Sequence, residues 1–166
     1  TKGPRPVVGF CGYLVEWWKS AAMKLRGEKD RADGHTVRRR AVASLQGSSL
    51  VQTNFLIRRH YWGGAVKANK DQSVVNQVRD EFVRNMFECD YVLCARGAGN
   101  FSVRFYETLA AGRIPLLINT DCALPFSDRI DWRKHCVIVE ESRLSDAPQI
   151  LAEFHATLTD EQFLSQ

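Results

Sequence analysis

Asp90-Tyr91-Val92-Leu93-Cys94-Ala95-Arg96-Gly97-Ala98-Gly99-Asn100-Phe101-Ser102-Val103-Arg104-Phe105-Tyr106-Glu107 takes the chain from an apolar strand, through a turn with two glycines, into a helix. Glycine lets backbone approach a ligand closely, and a helix start offers unpaired N–H groups and partial positive charge. Ser102 can cap the helix or offer its hydroxyl to a phosphate. An anion at such an end is favoured by about 0.3–1 kcal/mol, and by up to about 2 kcal/mol when sheltered. Arg104 and Glu107 lie three residues apart and so share a helix face. On that face Arg104 can fork onto a diphosphate, and Glu107, a turn deeper, can accept bonds from neighbouring ribose hydroxyls. Charged bonds of this kind contribute roughly 1.5–3 kcal/mol each. The same spacing also suits a surface ion pair worth about 0.3–0.5 kcal/mol.

The glycine spacing is not a dinucleotide fingerprint, because Ser102 stands where the third glycine would be. No G-K-[ST] follows, so the turn is not a P-loop. No Asp-x-Asp occurs in the sequence, which removes the usual cradle for a divalent ion on a diphosphate. We expect no metal site. Leaving-group charge then falls to the helix dipole, a hydroxyl and arginine.

Outward from this stretch, strands and helices alternate. Pro6–Cys11 reads as a buried strand ending at Gly12, Leu50–Ile57 as a second apolar strand ending at Arg58, and Tyr91–Ala95 as a third. Ile114–Ile118 and Val137–Val139 complete five. Helices are expected from His35 to Gly47, with Val37, Ala41 and Leu45 inward and Arg38, Arg39 and Arg40 mostly outward, and over Ser73–Cys89, Val103–Ala111 and Ala147–Leu158. This order predicts an α/β fold, a Rossmann-like parallel sheet with helices on both faces. Ligands bind such sheets beyond the carboxyl ends of the strands. The candidate positions are therefore Gly12, Arg58, Arg96, Gly97, Gly99, Asn100, Ser102, Arg104, Glu107 and Asp121. Asp121 can touch a sugar or simply form a turn.

Length and composition agree with one globular domain over residues 1–166: 45% of residues are hydrophobic and 25% charged. No segment is apolar and long enough to span a membrane, and the first residues lack a signal-peptide core. The chain enters a strand within ten residues without an initiator Met, and we expect it to be the C-terminal part of a longer protein. Cys11, Cys89, Cys94, Cys122 and Cys136 form no C-x-x-C pair and read as reduced core thiols. His35, His60, His135 and His155 form no cluster and read as surface or structural residues. The net charge of +4 is concentrated between Lys19 and Arg40, a run expected to be an irregular, solvated excursion followed by a helix face. Within the preceding stretch, Trp17-Trp18 suits a core position, or an interdomain or acceptor-side anchor.

Five segments in order give a further signal. Asp90–Gly97, Ser102–Glu107, Ala111–Leu116, Leu124-Pro125-Phe126 with Ile130-Asp131-Trp132, and Val137–Glu141 together resemble the exostosin family of glycosyltransferases. The resemblance is strong from about Phe82 to Phe154. It implies a two-lobed GT-B fold in which this chain is the donor-binding lobe, with inverting transfer of a sugar from a UDP- or GDP-linked donor and no other cofactor. It implies that Ser102 and Arg104 lie at the diphosphate, Glu107 at the nucleoside and Arg96 in the turn, with a glycan acceptor held by a missing N-terminal lobe. Ala95 stands where proline is common in that family and Arg113 where cysteine is common; neither removes a proposed contact. Asp131-Trp132 suits either a wall near the donor or a packed corner. The competing reading is a non-catalytic basic module binding nucleic acid or an acidic polysaccharide through Arg38–Arg40. The chain has no RNA-binding aromatic signature, and no nucleic-acid partner is expected.

Overall fold

The computed structural model describes residues 2–64 and 71–164, the side chain of Trp62 excepted. Among the described residues, β1 (Val7–Tyr13), β2 (Gln52–Arg58), β3 (Tyr91–Cys94), β4 (Ile114–Asn119) and β5 (Val137–Glu140) form one sheet. Every pairing is parallel and the order is β2-β1-β3-β4-β5. Parallel neighbours need crossovers: α1 (Trp17–Leu25) and α2 (Lys29–Gln46) join β1 to β2, α3 (Gln72–Phe87) joins β2 to β3 and α4 (Val103–Ala110) joins β3 to β4. The β4–β5 connection holds only the short helical turn Trp132–Lys134, and α5 (Ala147–Thr157) and the short α6 (Asp160–Leu164) follow β5. This is the Rossmann-like α/β layering expected from the sequence.

Strand periodicity divides the core into two layers. Val8, Phe10, Tyr91, Leu93, Leu116, Ile118, Val137 and Val139 face one way and pack on Val37, Ala41 and Leu45 of α2 and Leu151 of α5. Val92, Cys94 and Leu117 face the other way and meet Met86 of α3 and Phe105 of α4. The α2 positions are the inward residues that the four-residue spacing identified. Burial of β3 and β4 on both faces explains why they read as unbroken apolar runs. Gly9 is where β1 meets α3: a Cβ there would lie 2.7 Å from Cys89 Sγ.

Three expectations change. The Lys19–Gly34 excursion is not irregular: α1 occupies most of its first half, and α2 starts at Lys29, well before His35. Several of its charges are paired locally, Lys24 with Asp33 at 2.7 Å and Arg31 with Glu28 at 3.2 Å within the stretch, and Lys19 with the preceding Glu16 at 2.8 Å. Trp17 and Trp18, 69% and 53% exposed, do not enter the core. The second strand forms as expected and ends at Arg58, but it begins at Gln52. With one neighbour it forms the sheet edge, and Leu56 and Ile57 stay exposed.

The five cysteines are free, as expected, and four are buried. Burial pushes Cys94 and Cys136 up to about 12 and Cys89 to about 11, so these thiols remain protonated packing groups. No helix among the described residues is long and apolar enough to cross a membrane. At the amino end of the sheet, buried His155 joins Tyr91 Oη (3.0 Å to Nδ1) to the Gly3 carbonyl (2.8 Å from Nε2). His155→Ala leaves both partners unsatisfied and should lower unfolding free energy by about 1–3 kcal/mol, read as an earlier urea midpoint.

Candidate functional site

In a sheet of this order the chain leaves β1 for β2 on one side and then crosses to β3 on the other. The connections after β1 and β3 therefore diverge and leave a crevice at their carboxyl ends. The registers show it directly. β1 pairs with β2 over seven residues but with β3 only at Val8–Tyr91 and Gly9–Val92. Beyond Gly9 the two central strands are not paired, and side chains fill the opening.

Arg104 enters it from α4. Its Nη2 donates to the Cys11 carbonyl at 2.6 Å, and its guanidinium stacks over Phe10 (4.7 Å) and Phe82 (5.4 Å). Gly12 makes room, since a Cβ there would lie 3.2 Å from Arg104 Nη2. Arg38 enters from α2. Its Nη1 donates to the Tyr13 carbonyl (3.3 Å) and its Nη2 to the Arg96 carbonyl (3.1 Å), spanning the two strand ends. Arg38 therefore does not face outward, against the expectation for the Arg38–Arg40 run. Arg39 likewise bonds the Val15 carbonyl, while Arg40 stays exposed beside Glu141.

Two further arginines border the crevice. Arg58, at the end of β2, pairs with Glu81 at 3.1 Å and donates to the Val78 carbonyl. Arg96 faces Asp30 at 3.9 Å. Arg38 and Arg104 have no carboxylate partner among the described residues. The Nε of each is buried and unbonded. Burial holds Arg104 below its ordinary value, and burial followed by the charge of Arg104 lowers Arg38 to about 10. A guanidinium stays charged under these conditions. The crevice therefore holds two cations in a sheltered place with no carboxylate in ion-pair contact among the described residues, Glu107 acting on Arg104 only at longer range, an arrangement that an anion stabilises.

The glycine turn lies alongside. Ser102 is the buried N-cap of α4, and its side chain makes no capping bond. The Gly97 amide reaches back to the Phe101 carbonyl at 3.3 Å. Gly97 has open space where a Cβ would be, whereas at Gly99 a Cβ would lie 2.9 Å from the Phe101 ring. Asn100 is used at both ends: its amide donates to the Asp121 carbonyl (3.1 Å), and its Oδ1 accepts from Thr120 (2.6 Å). Asp121 is a left-handed turn residue with φ 58°. Glu107 is exposed, and its carboxylate makes no hydrogen bond or direct ion pair among the described residues, so it meets Arg104 only through longer-range charge. Asp131 caps a short turn, and Trp132 donates to the Pro125 carbonyl and packs edge-on against Phe105, as in a packed corner. Beyond β4 and β5 a bowl of about 730 Å³ opens, lined by Asn119, Leu124, Trp132 and Glu140 among others. No three His, Cys, Asp or Glu side chains gather to hold a metal ion among the described residues.

The structure thus draws Gly12, Arg96, Gly97, Ser102 and Arg104 around one crevice. Arg58 borders it but is turned to α3, and Asn100 links it to the end of β4. Sequence reasoning missed Arg38 and Gly34. A Cβ on Gly34 would collide with the Gly97 carbonyl, so α2 rests directly on the glycine turn. The available signal was a glycine inside a helical pattern with an arginine one turn later.

His35, between these two, stacks edge-on with Tyr13. Burial and then Arg38 lower it from 6.5 to about 4. The unfolded chain therefore takes up this proton first on acidification, and folding stability should fall as pH drops from 6.5 towards 4. Urea titrations of wild type and His35→Phe across that window should give a steeper loss for wild type; parallel curves would contradict it.

Comparison with known proteins matches residues 19–154 to the family model of the Exostosin GT47 domain. The Exostosin-1 homolog of Caenorhabditis elegans is 38% identical over 72 residues, 43% of this chain and 18% of that protein. Exostosin-1a of Danio rerio is 30% identical over 94 residues, 57% of this chain and 13% of that protein. Probable glucuronosyltransferase 47 A of Physcomitrium patens is 35% identical over 85 residues, 51% of this chain and 18% of that protein. The matched regions span under a fifth of the length of these relatives.

Proposed function

We propose, from the premise that the chain belongs to the exostosin GT47 family, that it is the donor-binding lobe of a two-lobed glycosyltransferase. The observation that carries this reading is the pair of guanidiniums without a carboxylate in ion-pair contact at the β1–β3 crevice, beside an α4 start whose N-cap hydroxyl is unused. A nucleotide diphosphate supplies the missing negative charge. Its phosphates lie against the α4 start, with Ser102 donating its hydroxyl and Arg104 stabilising the charge that grows on the departing diphosphate. Glu107, further along α4 and without a direct ion pair among the described residues, accepts bonds from the ribose hydroxyls.

The reaction is inverting transfer of the sugar to a glycan acceptor held by a further lobe. Leaving-group charge is met by arginine and the helix dipole, so donor binding needs no divalent ion. The absence of Asp-x-Asp supports this. The Physcomitrium relative carries a glucuronosyltransferase name, which puts UDP ahead of GDP as the first nucleotide to test.

Calorimetric titration of UDP and GDP should show one of them binding wild type, with affinity unchanged by EDTA. Glu107→Ala should weaken that binding roughly tenfold or more, the loss of a charged hydrogen bond, without moving the thermal midpoint. Equal affinity in the variant removes Glu107 from the site, and loss of binding in EDTA removes metal independence.

A further inference from the structure

Resting on that donor-site reading, we propose that Arg38 is a positioning residue for the diphosphate, acting through the glycine turn from the opposite face of the sheet. Both terminal nitrogens of Arg38 are engaged by backbone, one on the Tyr13 carbonyl and one on the Arg96 carbonyl. Those carbonyls belong to the two strand ends that have parted, so Arg38 sets the width of the crevice. The Arg96 carbonyl also immediately precedes the Gly97–Phe101 segment that leads to the α4 start. Fixing it fixes where the following amides point.

Two observations mark this as more than a core contact. One is the cost: a cation is held in a sheltered position with only carbonyls for company, its Nε unbonded and a second cation, Arg104, among the charges that disfavour it. A neutral side chain filling the same space would avoid that cost, whereas a fork that reaches two carbonyls requires guanidinium. The other is Gly34, one turn earlier on the same helix face, which lets α2 sit directly on the Gly97 carbonyl. α2 therefore holds the turn at two consecutive points, Arg96 through Arg38 and Gly97 through Gly34. Arg104 does the corresponding work on β1 from the other face, at the Cys11 carbonyl.

The role predicts selective effects. Positions that carry phosphate should depend on Arg38, and the nucleoside position, along α4, should not. Calorimetry on the chain would compare inorganic pyrophosphate, UDP and GDP, with uridine and guanosine as phosphate-free controls. Arg38→Met should weaken pyrophosphate and the preferred nucleotide roughly tenfold or more and leave the matching nucleoside within about twofold. Arg38→Lys, which keeps the charge but not the fork, should recover only part of the loss. Gly34→Ala disturbs the same turn without touching any charge, and it should reproduce the selective loss if Arg38→Met does not fold. Equal pyrophosphate binding in wild type and the folded variants overturns the proposal. So does a parallel loss of pyrophosphate and nucleoside, which marks a merely structural residue. If wild type binds none of the nucleotides or pyrophosphate, it is the donor-site reading that fails.

Discussion

The architecture around the crevice depends on a gap in hydrogen bonding. A parallel sheet satisfies its backbone by pairing neighbours, yet the two central strands stop pairing after Gly9 and Val92. Carbonyls at the parted ends must find other donors, since an unpaired buried carbonyl costs about as much as a lost hydrogen bond. Arg104 and Arg38 supply those donors, one from each face of the sheet, at Cys11, Tyr13 and Arg96. The sheet is completed at this point by cations rather than by strand. The electropositive character of the crevice is therefore a by-product of how the fold satisfies its own backbone, and a site for an anion sits where topology required donors.

The sequence was legible where local pattern and tertiary fate coincide. β3 and β4 are buried on both faces and read as plain apolar runs, and the glycine turn and α4 follow from punctuation at Gly97, Gly99 and Gly112. The inward stripe of α2 at Val37, Ala41 and Leu45 was visible for the same reason. β2 misled because Leu56 and Ile57 have the composition of a core strand while occupying an edge, and edge placement is a property of strand order rather than of composition. The charged stretch before α2 misled in the opposite sense. Its helices are held by ion pairs and by packing of α1 on α2, and the start of α2 is too polar for apolar periodicity to reveal it.

Arg38 was the substantive miss at the site. Three consecutive arginines look like a solvated face, and helical spacing distinguishes them only when the inner edge of the stripe is known closely. With Val37 and Ala41 buried, residue 38 sits at the stripe's margin, where a long side chain can turn either way. Its direction is decided by two carbonyls that come from strands distant in sequence. The five motif segments that carried the resemblance lie from about Asp90 onward, so they marked the turn and α4 but not Arg38, although the family match itself extends over residues 19–154. The geometry also separates candidates that sequence had grouped together. Arg58 is balanced by Glu81, and Asn100 is fully engaged as a brace to the end of β4, whereas Ser102 and Glu107 retain free polar groups.

The central strand also imposes an order on assembly. β1 pairs with β2 through Val8–Thr53 and with β3 through Val8–Tyr91, so this strand awaits its inner neighbour until about eighty further residues have followed. The Cys11 carbonyl waits longer still, for Arg104. A nascent chain halted before β3 could build β1, α2 and β2 as a unit, but its open flank would present the unpaired backbone edge of β1. Closure of the crevice is thus a late event in biogenesis, and the interval before it is when this domain is most exposed to chaperones and to faulty strand pairing.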